Sequence, residues 1–184
     1  MSIPINRRKA ILSGAALAGG LFLPAIARAQ DPTARNIAAF RMHDWRDHFD
    51  TLGVAAIVAD VDSRALFFWN GNGDDVRVYP TSVPISEELT KRGYTTITRK
   101  RVGPDWTPTQ SQRERFGWEY IPPGPDNPLG THAMYLGWPA YIIHGTHDTR
   151  KIGRPSSDGC IGLYNEMIAE LYEIAPVGTQ VRIF

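Results

Sequence analysis

The chain has 184 residues, of which 42% are hydrophobic and 21% are charged, and its formal net charge at pH 7 is +1. This length and composition are typical of one globular domain and exclude a disordered or collagen-like chain. Residues 1–29 contain four of the 20 basic residues and none of the 19 acidic ones, so the rest of the chain has a formal net charge of −3. That balance argues against a nucleic-acid-binding protein.

The first 29 residues have the pattern of an export signal. Residues 7–9 are Arg-Arg-Lys, an apolar run follows over 10–26, and residues 27–29 read Ala-Arg-Ala, an A-x-A cleavage site. The paired arginines and modest hydrophobicity favour the twin-arginine type of signal. We therefore expect cleavage after Ala29 and a periplasmic protein. An uncleaved membrane anchor is the alternative, although the run is short and rich in glycine for a membrane span.

From residue 54 onward the pattern is typical of β-strands. The stretches 54–59, 65–69 and 76–79 are apolar or β-branched, and Asn-Gly-Asn-Gly at 70–73 favours a hairpin turn. Further strands are predicted at residues 95–101, 141–143 and 180–184.

Two short helices are also predicted. One covers residues 109–116 with Thr109 as its N-cap, and the other covers residues 165–174 with Asn165 as its cap. The buried side of the second helix is predicted to consist of Met167, Leu171 and Ile174. Because strands outnumber helices, we predict a mostly-β fold, a curved sheet or sandwich with one or two short helices.

Cys160 and His144 are the residues most suited to covalent chemistry. Cys160 is the only cysteine of the sequence, and His144 ends an apolar run. A thiol and an imidazole suffice for acyl transfer, because the imidazole takes the proton and the thiolate attacks a carbonyl. By residue type alone, a small buried thiol and a structural histidine remain the alternatives. A single cysteine cannot form an internal disulfide, so a free thiol in an exported protein is a candidate nucleophile.

The surrounding stretch resembles the signature of the L,D-transpeptidase catalytic domain family (YkuD-like). Residues 143–146 read Ile-His-Gly-Thr, residues 157–163 read Ser-Asp-Gly-Cys-Ile-Gly-Leu, and Asn165 follows. The family usually has Ser-His-Gly-Cys-Ile-Arg, so Asp158 and Gly162 are departures. Weaker similarity, as in Asn-Pro-Leu-Gly at 127–130, extends over residues 52–184. We therefore divide the chain into a signal (1–29), an N-terminal extension (30–51) and a catalytic domain (52–184).

The resemblance implies a periplasmic peptidoglycan L,D-transpeptidase with the fold of that family. Cys160 is then the nucleophile that forms a thioester with a stem peptide, and His144 is the general base and acid. The backbone carbonyl of Gly145 orients His144, and Asp148 is a rival for that role on spacing alone. An amine acceptor gives 3-3 cross-links, an unusual register such as 1-3, or exchange of D-amino acids. Lysines of envelope proteins are further acceptors, and the enzyme is expected at the cell wall without metal or cofactor.

Six residues are expected to bind substrate, and they are Tyr135, His147, Arg154, Ser157, Asp158 and Gly159. His147 has a solvent-facing loop position as its alternative. Asp158 is a like charge for a thiolate and raises the pKa of the thiol, so it points away, pairs with Arg154 or binds a substrate amine. Gly162 lacks the guanidinium with which the family is thought to read a carboxylate, and Arg150, Lys151 and Arg154 are candidate replacements.

Three other functions remain open. With water as acceptor, the protein is an L,D-carboxypeptidase. A cell-wall cysteine peptidase or amidase is disfavoured, since papain-like enzymes place Cys before His in the chain and here His144 comes first. A non-catalytic peptidoglycan-binding protein does not need a thiol beside a base. No spacing matches a common zinc site, and His43 and His48 are predicted to be surface histidines.

Overall fold

The computed structural model describes residues 41–184. The predicted signal at 1–29 and the first part of the predicted extension lie outside these residues. Within the described range, the chain forms ten strands and two α-helices, together with short 3-10 turns. The prediction of a mostly-β fold with one or two short helices is therefore confirmed. No helix within residues 41–184 is long and apolar enough to cross a membrane.

The strands lie in one curled sheet and one small sheet. In chain order they are β1 (Ala55–Asp60), β2 (Ala65–Asn70), β3 (Val76–Pro80), β4 (Val83–Pro84), β5 (Gly93–Val102), β6 (His132–Leu136), β7 (Ile142–His144), β8 (Pro155–Ser157), β9 (Ile161–Gly162) and β10 (Gln180–Ile183). The large sheet has the order β3-β2-β1-β10-β5-β6-β7-β9, and β4 pairs with β8. The helices are α1 (Gln110–Phe116) and α2 (Asn165–Ile174).

The predicted strands around the Asn-Gly turn are confirmed as a meander of β1, β2 and β3, and its first two strands are buried on both faces. Side chains alternate along a strand, so Ile57 and Phe68 face the main core while Val58 and Phe67 face a second one. This burial explains why β1 and β2 have near-continuous apolar sequences.

Residues 41–52 cover the second core. Phe49 and Leu52 belong to it together with Phe67 and Trp69. His43 and His48 are partly buried, which corrects the prediction that both lie at the surface. Their rings hydrogen-bond to each other at 3.3 Å, and His43 also contacts the buried carboxylate of Asp60 at 3.0 Å.

The C-terminal strand lies in the middle of the sheet. β10 pairs parallel with β1 and antiparallel with β5, and so joins the N-terminal meander to the β5–β6–β7–β9 half of the sheet. That half carries the candidate site. Helix α2 closes the main core over it with Ile168 and Leu171, whereas Met167 and Ile174 are only partly buried.

The predicted N-cap is confirmed for α1 and wrong for α2. Thr109 caps α1 as predicted, and it forms a capping box with Gln112. The prediction that Asn165 caps α2 is wrong, because Tyr164 occupies the N-cap and makes no side-chain cap bond. Asn165 is the first helical residue, and its side chain turns to other partners.

Candidate active site

The register of two neighbouring strands brings His144 and Cys160 to one face of the sheet. His144 ends β7, and Cys160 comes immediately before β9. The two strands are parallel, with His144 opposite Gly162. Side chains two residues apart share a face, so Cys160 is on the same side as Gly162 and His144. Both Cys160 and His144 line an open cleft of about 1110 Å³.

The imidazole of His144 is held by backbone. Its Nδ1 donates to the carbonyl oxygen of Gly145. The rival orienter, Asp148, is instead bound to Arg150, with 2.7 Å between Oδ1 and Nε. A carbonyl only accepts hydrogen bonds, so Nδ1 carries the hydrogen and the neutral ring keeps its lone pair on Nε2. Burial lowers the pKa of His144 to about 4, and the charge of Lys151 acts in the same direction. The ring is therefore neutral at pH 7.

The thiol of Cys160 is also neutral. Its Sγ lies 3.6 Å from the carbonyl oxygen of Ala140, to which the S–H donates. Burial raises the pKa of the thiol to about 11, and the carboxylate of Asp158 contributes to the rise. The resting site thus holds a thiol and an imidazole with a free lone pair, and it does not hold a thiolate–imidazolium pair.

The turn before Cys160 is fixed by Ser157. The Ser157 hydroxyl donates to the carbonyl oxygen of Cys160 at 2.6 Å and accepts from the N–H of Gly159 at 3.4 Å. Gly159 has φ +128°, a conformation that a residue with a side chain rarely adopts. A Cβ at that position would lie at ordinary contact distance from the ring of Tyr141, 3.5 Å from Cζ, so the backbone conformation rather than space favours glycine. Glycine and serine therefore shape the turn that presents the thiol.

Asp158 is exposed and reaches helix α1. Its Oδ2 accepts a hydrogen bond from Nε2 of Gln112 at 3.4 Å. The pairing with Arg154 that the sequence suggested is absent among the ion pairs of residues 41–184. The carboxylate remains on the wall of the cleft, where it acts on the thiol through its charge.

The other departure, Gly162, has a steric reason in this chain. Ser82 and Gly162 exchange backbone hydrogen bonds of 2.8 and 3.2 Å. A Cβ at residue 162 would lie 2.4 Å from Oγ of Ser82 and 3.8 Å from Cε1 of His144. The Ser82 hydroxyl thus takes the space from which an arginine side chain would start.

The cleft includes only some of the predicted substrate-binding residues. Those on its wall are Tyr135, His147, Ser157 and Asp158. Arg154 and Gly159 do not line it, and of the three proposed replacement cations only Lys151 does.

Sequence reasoning missed several basic and aromatic residues of the cleft wall. Arg99, Arg101, Arg115, Trp106 and Trp118 all line it. The guanidinium of Arg99 stacks on Tyr135 at 3.6 Å from the ring centroid. The only sequence signal for Arg99 was the basic end of the predicted strand at residues 95–101. The pairing of β5 with β6, which sets Arg99 opposite Tyr135, brings it to the site. Within residues 41–184, no group of three or more His, Cys, Asp or Glu could hold a metal ion.

The sequence is similar to those of L,D-transpeptidases. The YkuD model, the L,D-transpeptidase catalytic domain, matches residues 55–183. The "Putative L,D-transpeptidase in ATP synthase subunits region ORF 5" of Fuscovulum blasticum is 64% identical over 188 residues, with full coverage of both chains. The "Probable L,D-transpeptidase ErfK/SrfK" of Escherichia coli K12 is 37% identical over 134 residues, which are 69% of this chain and 43% of that relative. The chain thus spans less than half the length of the latter.

Solved structures share the fold. An L,D-transpeptidase from Mycobacterium smegmatis superposes with a TM-score of 0.57 at 20% identity, over 71% of this chain and 58% of that one. The L,D-transpeptidase of Xylanimonas cellulosilytica gives a TM-score of 0.57 at 18% identity, over 84% and 70% of the two chains. At such identities the likeness establishes the architecture alone.

Proposed function

The chain belongs to the YkuD family of L,D-transpeptidase catalytic domains, a class of cysteine acyltransferases, and we propose that it transfers acyl groups of peptidoglycan stem peptides through Cys160. One observation carries the proposal. The only thiol of the chain and an imidazole with a free Nε2 line the same cleft, and the imidazole is oriented by the Gly145 carbonyl.

In the first half-reaction, Cys160 Sγ attacks the carbonyl of the L-centre of diaminopimelate in the donor stem. The thiol proton passes to Nε2 of His144, which then delivers it to the departing amine of the terminal D-amino acid. A C–S bond forms, the C–N bond breaks, and a thioester remains. Because the resting thiol and imidazole are both neutral, the proton moves during the attack rather than before it.

In the second half-reaction, an amine attacks the thioester. His144 takes a proton from this amine and returns it to the sulfur, so that the new amide and the thiol are released together. A diaminopimelate side chain as acceptor gives a cross-link, and a free D-amino acid gives exchange. Water as acceptor gives a shortened stem, which is the carboxypeptidase reaction.

Cationic side chains on the cleft wall favour a donor substrate that carries carboxylates. Arg99 has no carboxylate partner among the ion pairs of residues 41–184, and its guanidinium is held flat against Tyr135. Lys151 lies on the same wall near His144. A stem peptide carries several carboxylates, and cations placed this way offer them partners. With Gly162 in place of arginine, we expect the cross-link register to depend on these residues, and 3-3 and 1-3 linkages are the two candidates.

The test is mass spectrometry of the mature protein incubated with disaccharide-tetrapeptide muropeptides. A cross-linked dimer, loss of a D-amino acid and an acyl adduct on Cys160 are expected, and fragmentation of the dimer identifies the joined positions. Cys160→Ala and His144→Gln are expected to abolish the dimer. His132→Gln is the matched control, because His132 is also partly buried but lies outside the cleft. A folded wild-type protein that forms neither adduct nor product refutes the proposal, and a tripeptide alone assigns the carboxypeptidase reaction.

We also propose export to the periplasm, supported by the twin-arginine pattern of residues 1–29. Cell fractionation tests it. A double variant with Arg7→Lys and Arg8→Lys is expected to retain the full-length chain in the cytoplasm, while the wild type is recovered outside it and cut after Ala29. Equal distribution of the two chains contradicts this proposal.

A further inference from the structure

The amide of Asn165 accepts two backbone hydrogen bonds from different segments of the chain. Its Oδ1 lies 3.2 Å from the N of Thr131, in the segment before β6, and 3.2 Å from the N of Thr146, just after β7. Both partners are donors, so the atom between them must be the amide oxygen. Asn165 therefore acts at the start of α2 as a connector between two loops at the rim of the site.

The second of these bonds lies on the peptide unit that orients the catalytic imidazole. The N–H of Thr146 and the carbonyl of Gly145 belong to one planar peptide group. Fixing the N–H direction therefore fixes the direction of the carbonyl, which is the acceptor for Nδ1 of His144. The N–H of Gly145 is bound separately, to the carbonyl of His132 at 3.0 Å.

The chain has no side chain at two positions where one would displace this oxygen. A Cβ at Gly145 would lie 2.3 Å from Oδ1 of Asn165, and a Cβ at Gly130 would lie 2.2 Å from it. Both distances are shorter than the closest approach of a real Cβ atom to another heavy atom, which is 3.0 Å. Glycine at these two positions thus leaves room for the amide, beyond the conformational freedom that Gly130 needs at φ +63°.

We propose that Asn165 is a positioning residue of the acyl transfer, which orients His144 through the Gly145–Thr146 peptide. The assignment of turnover to this site rests on the proposed function, whereas the orientation of the ring does not. Without the Asn165 oxygen, the peptide is free to rotate and the Gly145 carbonyl no longer holds the hydrogen on Nδ1. The lone pair on Nε2 is then lost from part of the population.

The experiment is ¹⁵N NMR of labelled histidines in the mature protein, with His144 assigned from its loss in His144→Gln. The wild type is expected to show the Nδ1–H tautomer at His144. In Asn165→Ala, the Nδ1 and Nε2 shifts of His144 move toward each other. With a muropeptide donor, kcat falls on the order of 10- to 100-fold, the size of effect found for groups that orient metal-binding histidines, with little change in KM.

A matched control separates positioning from general stability. Asn127 is a buried amide in a nearby loop whose Oδ1 accepts from the N–H of Leu129 at 2.9 Å, and its side-chain amide donates to the carbonyls of Ile121 and Pro122 rather than to residue 145 or 146. Asn127→Ala is expected to lower the melting temperature but to leave the His144 tautomer and its pH titration unchanged. An identical change of tautomer in Asn127→Ala, or an unchanged tautomer in Asn165→Ala, overturns the proposal.

Asn165→Asp gives a second, independent measurement. The carboxylate retains an oxygen for both N–H groups, so the Nδ1–H tautomer is expected to persist. Its negative charge next to the peptide raises the pH at which His144 titrates. An unchanged titration with a lost tautomer refutes the proposal even if Asn165→Ala does not fold. Absence of turnover in the wild type would refute only the proposed function, because the NMR readout needs no substrate.

Discussion

The neutral state of the resting thiol leads to a test that needs no substrate. Burial and Asp158 raise the pKa of Cys160 to about 11 from an ordinary 9.0. At pH 7, the thiolate fraction is then about 100-fold lower than in an unperturbed cysteine. A more basic thiolate is a better nucleophile, and a Brønsted coefficient of about 0.4–0.5 recovers roughly eightfold. The folded protein should therefore react with a small neutral disulfide about tenfold more slowly than the chain unfolded in urea.

The assay follows absorbance during reaction with 4,4′-dithiodipyridine between pH 6 and 10. The logarithm of the rate is expected to rise by about one per pH unit throughout this range for the folded protein, and to bend near pH 9 for the unfolded one. His144→Gln should not change the shape of the folded profile, since no resting ion pair exists to be lost. A plateau between pH 6 and 8 that disappears in His144→Gln would falsify the reasoning, because only a thiolate–imidazolium pair produces it.

Three further predictions concern the same site. Asp158→Asn removes a like charge and should lower the pKa of Cys160, which speeds disulfide exchange at pH 7 by roughly two- to fivefold. Burial keeps the pKa of His144 at about 4, so as the pH falls below 6.5 the unfolded chain protonates this histidine while the folded chain does not. The free energy of unfolding should therefore fall between pH 6.5 and pH 4 by up to about 3 kcal/mol more in the wild type than in His144→Gln, as measured by urea unfolding. Equal losses would contradict that burial. Gly162→Ala should cost about 1–3 kcal/mol and Ser82→Ala should relieve most of it, since the neighbours that then remain, the Ser82 Cβ at 3.7 Å and the His144 Cε1 at 3.8 Å, are at ordinary contact distance. Additive costs in the double-mutant cycle would show that the hydroxyl is not the obstacle.

Much of the local structure could be predicted from the sequence. The apolar stretches around Asn-Gly-Asn-Gly at 70–73 specify β1 to β3, because a tight turn and a period of two are both local properties. The cap of α1 was predictable for the same reason, since Thr109 and Gln112 are three residues apart. The residues that carry the family resemblance, His144 and Cys160, were also visible in the sequence, and the sheet places both on one cleft.

The contacts that define the site required the tertiary structure. Asn165 has the sequence position of a cap, yet its oxygen binds loops 34 and 19 residues away. Asp158 reaches Gln112, 46 residues distant. The local sequence does not show which hydrogen-bond partner such a side chain will have, because a polar side chain bonds to whichever group the fold brings within reach.

The order of the strands in the sheet also cannot be predicted from the local sequence. A strand-forming sequence at 180–183 predicts β10 but not that it pairs with β1, some 120 residues earlier in the chain. Likewise, the alternation in β5 does not reveal that Arg99 will stack on Tyr135 and line the cleft. The sequence by itself determined most of the longer strands and both helices, and it indicated Cys160 and His144 as the candidate nucleophile and base. The long-range pairing of strands decided which cations, carbonyls and amides surround them, since register is set by burial across the whole sheet.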